Sequence, residues 1–99
     1  MRKGPQSAGR SCWWVYVVRC ADHSLYTGVK TDVPRRVRQH NAGDASRYTR
    51  SRLPVQLAYR ETTADRGTAL RREAAIKRLS RKAKECLIDR RLKAGIPHC

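Results

Sequence analysis

The chain has 99 residues, 39% of them hydrophobic, which suits one small domain with a modest core. No apolar run is long enough to span a bilayer, and the basic N-terminal stretch lacks the apolar segment of a signal peptide, so a cytoplasmic protein is expected. Against 8 acidic residues stand 23 lysines and arginines, a net charge of +15, which calls for an anionic partner: nucleic acid rather than a membrane surface, because the helices lack a wide apolar face.

Residues 1–11 (MRKGPQSAGRS) are polar and aperiodic, as in a disordered basic tail. Trp13 to Val18 is a continuous run of aromatic and β-branched residues, the pattern of a buried strand. Ala21 to Ser24 reads as a turn, with His23 suited to a left-handed conformation. Leu25 to Lys30 is the second strand. Alternation puts Trp14, Tyr16 and Val18 on one face, and Tyr26, Gly28 and Lys30 on one face of the partner strand. Gly28 leaves room for another backbone or a ligand. Asp32 caps a helix with Pro34 in its first turn. Val33, Val37 and His40 form its stripe, and Arg36 lies beside that stripe one turn before His40. Asn41-Ala42-Gly43 stops the helix. Asp44 to Leu53 reads as a basic loop carrying Tyr48. Val55 to Arg60 alternates as a third strand. A helix follows over Arg66 to Leu79. Ser80 caps a last helix over Arg81 to Lys93, closed by Gly95 and Pro97. One domain over residues 12–93, with a short tail at 94–99, is the expected organisation. Cys12, Cys20, Cys86 and Cys99 show no CxxC spacing, so free thiols are expected rather than a zinc site or a disulfide framework.

Glu73 falls among Ala69, Leu70 and Ile76 on the apolar stripe of its helix. A buried carboxylate is costly unless it is paired or bound to a metal. Two readings stand open: a salt bridge with Lys77 one turn on, or a ligand for magnesium, which often takes only one or two protein carboxylates. Arg36 and His40 either belong to a solvated helix face or work on a phosphate, the guanidinium gripping its oxygens and the imidazole moving a proton. Tyr16 and Tyr26 are strand core residues by default. Their hydroxyls titrate at about 10, so they act as bases only beside a cation.

Taken together, Val15-Tyr16-Val17, Tyr26-Thr27-Gly28, Arg36, His40 and Glu73 resemble the GIY-YIG nuclease superfamily in order and spacing. The phrases VYVVRCADHSLYTGVKTDVPRRVRQHN, RYTRSRLPVQLAY and ALRREAAIKRLSRKAKECLI are similar to its small single-domain bacterial YhbQ-like members, over Trp13 to Ile88. The resemblance implies an α+β fold, a three-stranded antiparallel sheet flanked by three or so helices. It implies a metal-dependent endonuclease, using Mg2+ or Mn2+ on DNA more than on RNA. Structure preference and a task in repair or recombination-type processing are expected. By position it implies Tyr16, Tyr26, Arg36, His40 and Glu73 as catalytic residues, with Glu73 as metal ligand. Gly28, Lys30, Arg47, Tyr48, Arg50, Arg52 and Lys77 are expected to hold the nucleic acid. Asn41, Gly43 and Thr49 match further positions of the subfamily. Two positions depart from the pattern. Trp14 stands where many members have glycine, and is expected to pack beneath the sheet. No asparagine follows Glu73. The alternative function is a non-catalytic nucleic-acid-binding domain that keeps the nuclease fold, and a third class is a module that docks on an acidic protein partner.

Overall fold

The computed structural model describes residues 12–92. They run β1 (Trp13–Arg19), β2 (Leu25–Lys30), α1 (Val33–Asn41), α2 (Arg47–Arg50), β3 (Gln56–Thr63), α3 (Arg66–Lys77) and α4 (Arg81–Leu92). The expected tails at 1–11 and 94–99, and the helix closure at Gly95 and Pro97, lie outside the described residues. The three strands form one antiparallel sheet in the order β2-β1-β3.

β1 is apolar from Trp13 to Val18 because it is the central strand and Val15 to Val18 are buried on both its faces. Val15 and Val17 point to one side, into a core with Tyr59, Ala69, Ile76 and Ile88, supplied by β3, α3 and α4. Tyr16 and Val18 point to the other, into a core with Cys20, Val33 and Val55, edged by Trp14, Tyr26, Val37 and Leu53. Trp14 therefore sits on the face of Tyr16, as alternation predicts, and packs half-buried against that core. At its far end β1 is tied to α4. The Arg19 guanidinium donates to both Glu85 oxygens, at 2.8 and 2.7 Å. These hydrogen bonds lower the Glu85 pKa to about 2.

The turns behave as their residues dictate. His23 and Gly43 take positive φ, 71° and 83°. The Asp32 carboxylate accepts from Arg35 N–H and caps α1, and the Ser80 hydroxyl accepts from Ala83 N–H to cap α4. Some boundaries differ from the expectation, among them that of α3, which ends at Lys77 rather than Leu79. β3 is displaced towards its polar end, to Thr63, because an edge strand needs only one partner and Thr63 pairs with Trp13. Val55 is left outside it, its backbone held in both directions by the Asn41 amide, at 3.0 and 2.7 Å. The loop after α1 contains a single helical turn, α2, capped by the Ser46 hydroxyl. No described helix is long and apolar enough to cross a membrane.

Candidate active site

Tyr16 is the hub, and its position is set by register. It lies opposite Gly28 on one side and Arg60 on the other. The phenol lies across Gly28 so closely that a Cβ there would come within 2.5 Å of its oxygen. The space expected for a ligand at Gly28 is filled by this ring. Only glycine permits that approach.

From Tyr16 a chain of hydrogen bonds runs inward. The Thr49 hydroxyl donates to Ser46 O at 3.3 Å, which leaves its lone pairs to accept from His40 Nδ1, 2.7 Å away. His40 Nε2 then accepts from the Tyr16 hydroxyl at 2.9 Å. His40 and Thr49 are both fully buried. This assignment gives both imidazole nitrogens a partner, so Thr49 fixes the tautomer with its acceptor nitrogen towards Tyr16. The α2 turn exists to place Thr49: Ser46 caps it and Thr49 packs inward. Tyr26 meets the edge of the His40 ring, 5.3 Å between centroids, and stacks on Tyr48 at 5.9 Å.

Burial, and then the nearby Arg36 charge, lower the His40 pKa to about 4, so the ring is neutral near pH 7. Burial raises the Tyr16 pKa; the nearby Arg36 guanidinium opposes this, while Tyr26 and Glu73 add to it. The phenol thus feels Arg36, Tyr26 and Glu73 together. For stability the depressed His40 pKa has a definite sign. Between about pH 6.5 and 4 the unfolded chain takes up a proton that the folded chain refuses, so stability is full above that window and falls as pH drops through it. The loss approaches roughly 3 kcal/mol at the acid end. Urea unfolding at several pH values should show this loss in the wild type and a flatter profile in His40→Gln. Equal slopes for both would contradict it.

Arg36 is half-buried on α1. It donates to Gln39 Oε1 at 3.2 Å and to Ala45 O at 3.3 Å. Its Nε is buried without a hydrogen-bond partner. On α3, the Glu73 side chain is 19% exposed, and its Oε2 is 3.4 Å from the Nζ of the exposed Lys77. Both sequence readings of Glu73 therefore leave a trace: the carboxylate faces inward, and the lysine contact exists. That contact is longer than a well-formed charged hydrogen bond.

The expected nucleic-acid residues divide. Lys30, Arg47 and Arg50 are exposed. Arg52 is committed to the fold: it pairs with Asp22 at 3.0 Å, donates to Tyr48 O and lies 3.9 Å over the Tyr48 ring. Lys77 is engaged by Glu73, and Gly28 is covered by Tyr16. Sequence reasoning named Thr49 without a role and passed over Ser46. The signal for both was a serine and a threonine three apart, the spacing of a capped turn.

The donor set also bears on which cation would fit. Among the described residues no three histidine, cysteine or acidic side chains gather in one place. Zinc, which wants several protein ligands, does not suit this site. A single inward carboxylate suits magnesium, which keeps much of its water and takes substrate oxygens.

A family model described as the GIY-YIG catalytic domain matches residues 12–85. The UPF0213 protein of Desulfotalea psychrophila is 52% identical over 80 residues, covering 80% of this chain and 73% of its own. The solution NMR structure of the UPF0213 protein of Bacillus halodurans is similar at a TM-score of 0.53 with 40% identity, over 85% of this chain and 87% of that one. A protein of E. faecalis, also solved by NMR, matches at a TM-score of 0.58 with 34% identity, over 89% and 94%. With residues 12–85 matched by the family model and half of the aligned residues identical to a relative over most of its length, the chain belongs to the GIY-YIG family.

Proposed function

We propose that this protein is a metal-dependent endonuclease that hydrolyses phosphodiesters in DNA, prefers structured substrates and serves repair or recombination-type processing in the cytoplasm. The family supports a nuclease-type function, and its nucleases generally use divalent metals. The observation that carries the reading is Arg36 Nε, a buried donor with no acceptor, on a guanidinium whose charge reaches the Tyr16 phenol. A buried donor left unsatisfied is costly, and a phosphate oxygen is the acceptor that suits it.

In this mechanism the scissile phosphate lies between Arg36 and Tyr16. The Tyr16 oxygen takes a proton from the attacking water while its own proton passes to His40 Nε2. The charge of the bound phosphodiester raises the basicity of His40 above its resting value. Thr49 holds the imidazole in the accepting tautomer throughout. Arg36 stabilises the charge that builds on the phosphorane oxygens. Magnesium held by Glu73 would supply positive charge to the phosphate and the leaving oxygen. As the P–O bond to the leaving oxygen breaks, that oxygen takes a proton from solvent, and the buried His40 gives its own proton back through the Tyr16 hydroxyl. Lys30, Arg47 and Arg50 meet flanking phosphates and read little sequence.

The Lys77 contact on Glu73 favours a second reading, a DNA binder without catalysis. A panel of branched, single-stranded and duplex DNA, with matching RNA, separates the two. The nuclease reading expects cleavage of branched DNA that requires magnesium and is lost in Arg36→Ala. Binding to every substrate with a steep salt dependence and no cleavage would favour the second.

A further inference from the structure

On the sheet face that carries Tyr16, burial falls off towards the start of β1: Val18 and Tyr16 are buried and Trp14 is half-buried. Beyond Tyr16, towards the start of β1, lies the Trp14 row. Trp14 is opposite Lys30 on β2 and Thr62 on β3, both exposed. Arg60, opposite Tyr16, leans along the strand so that its guanidinium lies 4.8 Å from the Trp14 ring centroid. Neither Lys30 nor Arg60 forms an ion pair among the described residues, although Arg19, Arg52, Arg72, Lys77 and Arg81 all do. No acidic residue lies in these two rows on this face. The row therefore holds an indole, a guanidinium stacked on it and an ammonium, about 7 Å from Tyr16 by two residues of strand rise.

We propose that Trp14, Arg60 and Lys30 form a stacking subsite for an unpaired nucleotide next to the scissile phosphate. The reasoning is chemical. An aromatic ring beside cations, with no acid to neutralise them, suits a partner that is flat and apolar on one part and anionic on another. A single-stranded nucleic acid has that chemistry: the base stacks on the indole–guanidinium pair, and its phosphate meets Lys30. A duplex does not expose its base faces and cannot use the subsite without unstacking. The inference rests on the nuclease reading for its placement next to a cut. It adds a substrate class, a strand unpaired beside the cleaved bond.

Binding measured without metal, in EDTA, tests the subsite independently of cleavage. In a Trp13→Phe background, Trp14 is the sole indole, and an oligothymidylate of about a dozen nucleotides should quench its fluorescence saturably. Trp14→Leu and Arg60→Gln should each weaken that oligonucleotide about tenfold or more, with affinity for an equally long duplex within about twofold. Circular dichroism confirms folding, and Arg60→Gln keeps the test alive if Trp14→Leu fails to fold. Unchanged Trp14 fluorescence at saturation, or equal weakening for single strand and duplex, would overturn the proposal. Quenching by a protein that cuts nothing would leave the subsite standing and remove the nuclease reading. Cleavage of a flap by Arg60→Gln and Trp14→Leu at wild-type efficiency would do the reverse.

Discussion

Replacing Glu73 with glutamine should reduce magnesium-dependent cleavage by roughly 10²- to 10³-fold or more, the scale seen when one stabilising charge is removed from an active site. Glutamine keeps the shape of the side chain but not its charge, so α3 should pack as before. DNA affinity in the absence of metal should stay within a few-fold, because the proposed phosphate contacts come from arginines and lysines. Lys77→Ala has the opposite sign for metal. It frees Glu73 Oε2 from the contact at 3.4 Å, so less magnesium should be needed for half-maximal cleavage. Single-turnover cleavage of labelled branched DNA across a magnesium titration reads both effects. Full activity in Glu73→Gln would remove the carboxylate from the mechanism.

Gly28→Ala should be nearly as damaging, for a steric reason. The new Cβ would sit 2.5 Å from the Tyr16 oxygen and 2.6 Å from the carbon bearing it. The ring is 1% exposed and bonded to His40, so it has little freedom to retreat. Overpacking of this kind costs about 1–3 kcal/mol. It also pulls the hydroxyl from His40 Nε2, which should slow cleavage about 10²-fold or more, the scale of a lost proton-transfer partner. Urea unfolding and cleavage rates check the two parts. Tyr16→Phe separates them, since it deletes the hydroxyl without crowding the ring. Wild-type stability and rate in Gly28→Ala would mean that the phenol is not held as described.

Much of this was readable in the residues, and the limits have physical causes. β1 announced itself because a central strand is apolar on both faces. α1 was bounded by Asp32, Pro34 and Gly43, whose backbone preferences are local. Glu73 stood out because a carboxylate on an apolar stripe breaks a pattern. Thr49 broke none: a threonine in a basic loop is ordinary, and its value lies in reaching His40 across nine residues of chain. The close approach at Gly28 was foreseen, but its occupant depends on register, which periodicity does not fix. Alternation along β1 was enough to set Trp14 on the Tyr16 face. Its neighbour Arg60 was not legible, because it comes from β3 and depends on register.

Arg36 and Glu73 are proposed to belong to one hydrolytic centre built around Tyr16. Single-turnover cleavage of one branched DNA by wild type, Arg36→Ala, Glu73→Gln and the double variant tests it most directly. Groups that act as a unit are not additive, so the double variant should be no more than about tenfold slower than the slower single variant. Losses that multiply in the double variant, or a wild type that leaves the DNA intact in magnesium, would contradict it.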